Sequence, residues 1–116
     1  ADFSMFGLGT NKMQPKAFAL IREVAKSLAA MPNKVAVRGH TDSLAYDDGV
    51  NSNWSLSGMR AEATRRLLSD AGLPESRFYR IEGVADTVPY VPNNPADPRN
   101  RRISITILYQ DQTPKG

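Results

Sequence analysis

The residues with the clearest capacity for chemistry lie in and just after a polar segment, residues 39–54, that joins a predicted strand to a predicted helix. Loops at the end of a strand are favoured ligand sites in layered α/β structures. Asp42 follows the strand, and Arg60 lies in the first turns of the helix. An acid and a guanidinium in one pocket suit a zwitterionic ligand, because the acid takes an ammonium and the guanidinium grips a carboxylate.

Each of these side chains also has an ordinary structural explanation. An Asp after a strand most often caps a turn or pairs with a neighbouring arginine, and a helical Arg most often lies in solvent. A cation at a helix start opposes the helix dipole, so Arg60 gains little stability there, which favours a further role for it. His40, also at the strand end, is more often a hydrogen-bonding structural residue than a catalyst.

Several kinds of site are excluded by residue type and spacing. The chain has no cysteine and one histidine, which excludes thiol catalysis, zinc–thiolate sites and multi-histidine metal sites. Asp42, Asp47 and Asp48 do not have the spacing of a calcium-binding EF-hand loop. No nucleophile elbow, Walker loop or dinucleotide-binding glycine motif is present. We therefore predict no metal, no cofactor and no enzymatic activity, with a hydrolytic site of His40 and one of these acids as the alternative.

The overall composition is that of one ordinary globular domain over residues 1–116. Hydrophobic residues make up 41% of the chain and charged residues 23%, which argues against disordered, collagen-like and membrane classes. No apolar run approaches the roughly 20 residues that cross a bilayer. The net charge of +3 is mild, and aromatic residues are not interleaved with the arginines as a nucleic-acid stacking surface requires. We predict no nucleic-acid partner.

Apolar periodicity predicts two helices. The first begins at about Pro15, and its apolar stripe consists of Phe18, Ile21, Ala25 and Leu28, broadened by Leu20, Val24 and Met31. The second spans about residues 57–71, with Ser55 or Ser57 as its N-cap and Gly72 as its left-handed C-cap. Its predicted apolar face consists of Leu56, Met59, Ala63 and Leu67, with Trp54 packed against the helix start.

Three segments have strand patterns, at residues 34–39, 78–83 and 103–109, and a weaker one lies between Phe3 and Phe6. Four prolines between residues 89 and 98 exclude regular structure there, so residues 84–102 are predicted to form one long, ordered loop. Interleaved helices and strands predict an α+β fold, a two-layer α/β sandwich of βαβαββ type. Its mixed sheet has about four strands, with the helices on one face.

Five short motifs occur in an order that resembles one known family. They are Gly39-His40-Thr41-Asp42, Asn53-Trp54-Ser55-Leu56-Ser57, Arg60-Ala61, Gly83 and Asn100-Arg101-Arg102-Ile103. Together they resemble the OmpA-like peptidoglycan-binding domain, and the likeness covers nearly the whole chain. The resemblance implies a periplasmic domain that holds the cell wall without a covalent bond.

The resemblance also implies which residues bind the wall. The residues that match the family's Asp and Arg are Asp42 and Arg60, which grip the free ammonium and carboxylate of diaminopimelate in the peptide stem. Thr41, Asn53 and Arg101 are carried over as further peptidoglycan-binding residues. The positions expected to support the site structurally are Gly39, His40, Leu56 and Ser57. Replacing Asp42 or Arg60 by alanine is expected to abolish binding and to leave the fold intact.

Within the family, the Asn-Trp-x-Leu-Ser form and the run from Asp97 to Arg102 are most similar to MotB-type stator subunits of flagellar motors. This likeness implies a homodimer that is anchored in the inner membrane by a helix upstream of Ala1 and that assembles with the channel subunit MotA. One alternative is a cell-wall anchor of the OmpA or Pal type, linked to the outer membrane. A less favoured alternative is a peptidoglycan hydrolase that uses His40.

Overall fold

The computed structural model describes residues 4–44 and 52–109, so Asp47, Asp48 and most of the loop after Asp42 lie outside the described residues. The α-helices and β-strands, in chain order, are α1 Pro15–Ala29, β1 Val35–Gly39, α2 Asn53–Asp70, β2 Phe78–Gly83 and β3 Ile103–Ile107. Short 3₁₀ helices at Glu75–Arg77 and Pro98–Asn100 precede β2 and β3. The predicted α+β class is confirmed. In this part of the chain no helix combines the length and the apolar character needed to cross a membrane.

The sheet is mixed, with β1 in its centre, β2 parallel to it and β3 antiparallel. Val37 pairs with Ile81 on one side and with Ile105 on the other. Side chains alternate between the two faces along each strand, and residues paired across strands point to the same face. These three side chains therefore share one face. They join one hydrophobic core with Ile21 of α1 and Leu68 of α2, so both helices cover the same face, as predicted.

The predicted fourth strand near the N-terminus is not found among the described residues. Phe3 lies outside them, and Phe6 forms only an isolated antiparallel bridge with Met13. The Met5 N–H donates to the carbonyl oxygen of Arg101 at 3.0 Å, just before β3. The segment therefore meets the sheet at one point, and the sheet has three strands in the described ranges rather than about four.

Helix α1 forms where the periodicity predicts it, with Pro15 in its first turn, where a missing N–H costs nothing. Its buried residues are Ala17, Ile21, Ala25 and Leu28. The prediction is wrong at Phe18, the first residue of the stripe, and at the broadening positions Leu20 and Met31, because all three are exposed. The small Ala17 takes the inward position at the start of the helix, and the ring of Phe18 instead lies against the Arg22 guanidinium.

Helix α2 begins four residues earlier than predicted, because Ser52 and Ser55 form a reciprocal capping box. Its predicted apolar face is right at Leu56 and wrong at the other three positions. Met59, Ala63 and Leu67 are only half-buried, whereas the buried residues are Leu56, Ser57, Arg60, Ala61, Thr64 and Leu68. Apolar periodicity misses this face because half of it is polar. Trp54 is 60% exposed, so its predicted packing against the helix start is also wrong.

The first turns of α2 lie directly against the ends of β1 and β2. A Cβ atom on Gly39 would lie 1.9 Å from the main-chain oxygen of Ser57, and one on Gly83 would lie 2.4 Å from the Ser57 hydroxyl oxygen. Side chains at these two positions would push the helix away from the sheet. The two glycines therefore set the distance between α2 and the strand ends, where the polar loop begins.

The proline-rich loop of residues 84–102 is ordered by the last residues before β3. Asn100 is fully buried; its side-chain oxygen accepts from the Val91 N–H at 2.8 Å, and its amide donates to the Pro95 carbonyl at 3.0 Å. Arg102 donates to the Val88 carbonyl at 3.0 Å. Because prolines lack the N–H that a β-sheet hydrogen-bond ladder needs, these side-chain hydrogen bonds hold the loop instead. They also fix where β3 starts.

Candidate ligand-binding site

A cavity of about 320 Å³ opens beyond the end of β1, between the first turns of α2 and the segment of residues 7–10. It is lined by Leu8, Gly9, Thr41, Asp42, Leu44, Asn53, Leu56, Arg60 and Arg101. The five residues predicted to bind a ligand, which come from three distant parts of the sequence, therefore surround one space.

Asp42 is held in a fixed position at the edge of this cavity. The N–H groups of Thr41 and Ser43, on either side of it, donate to the carbonyls of Ala85 and Pro95 at 2.9 Å each. Its carboxylate accepts from Arg101 Nη1 at 2.8 Å and from the Leu44 N–H at 3.1 Å. The Asp42 and Arg101 side chains are 4% and 13% exposed, so this ion pair is largely removed from water.

Arg60 is fully buried, which corrects the ordinary expectation that a helical arginine lies in solvent. Its guanidinium donates to the main-chain oxygens of Thr10, His40 and Gly7 at 2.9, 3.0 and 3.0 Å, and it lies 5.0 Å from the ring centre of Phe6. Burial lowers the pKa of Arg60 to about 10; nearby Asp42 opposes this and nearby Arg101 adds to it. The group stays cationic at neutral pH.

Two neutral polar side chains complete the wall on the α2 side. Thr41 is 3% exposed, and its hydroxyl oxygen has no hydrogen-bond partner in the ranges that the structure describes. The Asn53 amide, at the start of α2, donates to the Leu44 carbonyl at 3.0 Å. A buried hydroxyl without a partner costs free energy, so a ligand that reached Thr41 would gain by pairing with it.

Comparison with known proteins places this arrangement in one family. The model of the OmpA family matches residues 5–102. The chain belongs to the OmpA family. It is 38% identical to Motility protein B of Escherichia coli K12 over 106 residues, which cover 90% of this chain and 34% of the relative. The chain spans between about a third and a half of the length of the curated relatives it matches.

Solved structures agree with this membership. The C-terminal domain of Helicobacter pylori MotB superposes with a TM-score of 0.80 at 22% identity, covering 95% of this chain and 86% of that one. A structure described as the cell wall anchor of the type VI secretion system from Pseudomonas aeruginosa gives 0.73 at 28% identity, covering 92% and 76%. The fold is therefore that of the MotB C-terminal domain.

In this OmpA-family domain His40 supports the cavity without lining it. Its carbonyl accepts from Arg60, and its Nε2 lies 2.7 Å from the Ser104 hydroxyl oxygen. Burial lowers the pKa of His40 from 6.5 to about 4, and the nearby charges of Arg102 and Arg38 add to the effect. The imidazole is therefore neutral at physiological pH, and it is 1% exposed.

Ser57 ties α2 to the strand ends from below the cavity. Its hydroxyl donates to the Trp54 carbonyl at 2.8 Å and accepts from the buried Ala85 N–H at 3.0 Å. Leu56, the next residue toward the N-terminus, is 2% exposed and lines the cavity. The first turn of α2 thus places Leu56 at the cavity and Ser57 beneath it.

Sequence reasoning missed one wall of the cavity, formed by Leu8, Gly9 and Leu44. Leu8 and Leu44 are 66% and 47% exposed, so an apolar mouth surrounds a charged floor. Gly9 has a φ of 66°, a left-handed conformation that favours glycine. A glycine pair around a lone leucine signals a turn, but nothing local to residues 7–9 indicates that the turn reaches α2.

Proposed function

We propose that this domain binds peptidoglycan without a covalent bond in the bacterial periplasm, and that it recognises the free end of diaminopimelate in the peptide stem. The observation that carries the proposal is the convergence of Asp42, Arg60 and Arg101 on one cavity. The free end of diaminopimelate has an ammonium and a carboxylate on the same carbon. It therefore presents both charges to a cavity that holds both kinds of partner.

Each charged residue has a definite role in this proposal. Asp42 accepts the ligand's ammonium, since each carboxylate oxygen can accept more than one hydrogen bond. Arg60 and Arg101 receive the ligand's carboxylate; a guanidinium has five N–H donors, and three of those on Arg60 go to main-chain oxygens. Thr41 and Asn53 supply neutral hydrogen bonds beside these charges.

Two named relatives support a role in anchoring. One is Motility protein B, and one is a cell wall anchor. We propose that the domain holds a flagellar motor stator to the wall, as part of a homodimer that meets MotA through a membrane segment elsewhere in the protein. This larger role depends on the remaining half or more of such a protein, whereas the binding of the wall stem depends on residues 4–109.

The site favours binding over hydrolysis. His40 is buried, neutral and engaged with Ser104, so it does not offer a base to a substrate in the cavity. Among the described residues that line the cavity, Asp42 is the one acid, and Arg101 holds its carboxylate. A general acid–base pair needs groups that reach the substrate and exchange protons near neutral pH.

The proposal is tested by co-sedimentation with purified sacculi that contain diaminopimelate. Asp42→Asn removes the anionic charge and keeps the side-chain volume, whereas Asp86→Asn makes the same change at an exposed loop position. We expect the wild-type chain and Asp86→Asn to sediment alike. Asp42→Asn should bind roughly 10- to 100-fold more weakly, because a charge-assisted hydrogen bond is lost.

Thermal unfolding of both variants provides the control, since the comparison requires Asp42→Asn to be folded at the temperature of the assay. Undiminished sedimentation of a folded Asp42→Asn would reject the assignment of Asp42. Release of soluble muropeptides from sacculi by the pure protein would instead favour the hydrolase.

A further inference from the structure

Trp54, the second residue of α2, is a large apolar side chain that the fold leaves mostly in solvent. It is 60% exposed, although tryptophan is highly buried on average. Its carbonyl accepts from the Ser57 hydroxyl at 2.8 Å, whereas its indole N–H has no acceptor within residues 4–44 and 52–109. Most of the indole therefore adds no buried apolar area to the fold and is open to contact from outside.

Gly58, one helical turn after Trp54, keeps the surface beside the indole clear. Helical side chains lean toward the N-terminus of the helix, so a side chain at position 58 would lie over the turn that holds Trp54. A Cβ atom at Gly58 would meet open space, so packing within the domain does not require glycine there. Glycine also disfavours the interior of a helix. Its presence is explained if a ligand occupies the space.

Trp54 and Gly58 lie beside the proposed binding site, at the same end of α2. Asn53, directly before Trp54, lines the cavity that contains Asp42. Gly58 lines a second cavity, of about 440 Å³, on the solvent side of the helix. The polar side chains in the wall of this second cavity are those of Asn11, Ser55, Glu62 and Arg66. The start of α2 therefore separates a charged cavity from an exposed aromatic ring with polar groups nearby.

We propose that Trp54 is a platform for a sugar ring of the glycan strand, so that the domain binds the sugar and the peptide stem of peptidoglycan together. This inference rests on the proposed function, and it adds a contact outside the charged cavity. One face of a pyranose ring presents several C–H groups, which pack on the flat indole and bury apolar area. The indole face carries partial negative charge, which attracts these weakly positive hydrogens.

The length of the ligand suits both contacts. The peptide stem is attached to the lactyl group of the muramoyl sugar, and the diamino acid is its third residue. An extended peptide spans at most about 3.5 Å per residue, so the sugar lies within roughly 10 Å of the main chain of the diamino acid. Trp54 is the direct neighbour of Asn53 in the cavity wall. A stem that enters the cavity can therefore leave its sugar on the indole.

Calorimetric titration of the 116-residue chain with two soluble fragments tests the platform. One fragment is the N-lactoyl stem tripeptide with diaminopimelate, and the other is the same stem on its N-acetylglucosaminyl–N-acetylmuramoyl disaccharide. The lactoyl amide removes the N-terminal ammonium of a free peptide, so the fragments differ only in the sugar rings. We expect the disaccharide stem to bind roughly 3- to 10-fold more tightly. In Trp54→Ala this Kd ratio should fall to about one, while the Kd of the N-lactoyl stem changes less than about twofold.

Three further variants separate the platform from a structural role. Trp54→Tyr retains a flat aromatic face and should keep part of the ratio. Gly58→Leu introduces a side chain that leans over the indole, so it should lower the ratio although Trp54 is still present. The matched control is Phe18→Ala, which removes another exposed aromatic ring, on α1, and should keep the wild-type ratio. A misfolded fraction would weaken both fragments alike and leave the ratio unchanged.

Fluorescence provides a direct readout, because Trp54 is the one tryptophan of the chain. The disaccharide stem should shift its emission to shorter wavelength as the sugar displaces water, and the N-lactoyl stem should shift it less. If the N-lactoyl stem binds and the disaccharide adds no affinity, the platform is wrong and the proposed function stands. The same follows if Trp54→Ala or Gly58→Leu keeps the wild-type ratio, or if the emission does not move. If neither fragment binds, the platform and the proposed function both fall.

Discussion

The two helices cover the same face of one sheet, yet they bury different kinds of side chain. Helix α1 presents only apolar residues to the core, namely Ala17, Ile21, Ala25 and Leu28. Helix α2 buries Ser57, Arg60 and Thr64 among its apolar residues. The polar stretch lies in the half of α2 that faces the strand ends and the cavity, whereas Leu68 near its other end joins the shared core.

The two helices therefore stabilise the fold through two different kinds of contact. The face of α1 stabilises the fold through buried apolar area, which tolerates substitutions that conserve volume. The buried face of α2 stabilises it through directed hydrogen bonds, each of which fails if one partner is lost. The second kind of contact fixes atoms in place, which suits the part of the molecule that must present charges to a ligand.

The sharpest test of this contrast is Arg60→Met, which keeps most of the side-chain volume and removes every donor. The carbonyls of Gly7, Thr10 and His40 would lose their partners. Leaving such groups unsatisfied should lower the free energy of unfolding by roughly 3–5 kcal/mol. Urea unfolding measures the loss, and hydrogen exchange should show it first in residues 5–13. The structure thus replaces the expectation that an Arg60 variant loses binding with its fold intact.

The matched variant on the other helix is Leu28→Ala, a core truncation that should cost roughly 2–5 kcal/mol. Its folded fraction should bind diaminopimelate stems with the wild-type Kd, because Leu28 belongs to the apolar core and does not line the cavity. If Arg60→Met were as stable as the wild type, the hydrogen bonds on the buried face of α2 would not contribute to the free energy of unfolding. If Leu28→Ala shifted the Kd of its folded fraction, the two regions would not be independent.

Local signals in the sequence predict the parts of the fold that local rules govern. Helix α1, strand β2 and the left-handed cap at Gly72, with a φ of 109°, lie where spacing and turn chemistry place them. The motifs that resemble the OmpA family contain the five predicted binding residues, and all five are among the nine residues that line the cavity. The motifs lie far apart in the sequence, and their residues come together only in the folded chain.

The remaining features depend on contacts between distant residues. Apolar periodicity assigns α2 the wrong face because Arg60 is buried by the carbonyls of Gly7 and Thr10, some fifty positions away in sequence. The Asp42–Arg101 pair joins residues 59 positions apart. Nothing in a window of ten or twenty residues encodes such partners, so their geometry emerges only from the folded arrangement.

The pH dependence of the free energy of unfolding provides a second and smaller test of the polar contacts that support the cavity. The pKa of His40 is about 4 in the folded protein and 6.5 ordinarily. Between these values the unfolded chain binds the extra proton, so stability is full above about pH 6.5 and falls as the pH drops toward 4. The shift predicts a loss of about 3 kcal/mol across this window. Urea midpoints at several pH values measure it.

The control is His40→Gln, which removes the titrating group. It should be less stable than the wild type at pH 7 and should show a much flatter profile between pH 6.5 and 4.5. The pKa values of Glu62 and Asp97 are lowered by hydrogen bonds from Arg65 and Arg99, so their contributions are lost only at lower pH. A wild-type profile as flat as that of the variant would show that His40 is not buried in its neutral form.

The smallest effects should distinguish two hydroxyls on the buried face of α2. The Ser57 hydroxyl is the acceptor for the buried Ala85 N–H, which Ser57→Ala would leave without a partner. The Thr64 hydroxyl donates to the Arg60 carbonyl within the same helix, and Thr64→Val keeps the helical hydrogen bond of that carbonyl. Ser57→Ala should therefore cost about 1–3 kcal/mol, and Thr64→Val should cost less than about 1 kcal/mol. Equal losses in urea unfolding would mean that polar burial itself, rather than the satisfaction of particular partners, sets the stability of this face.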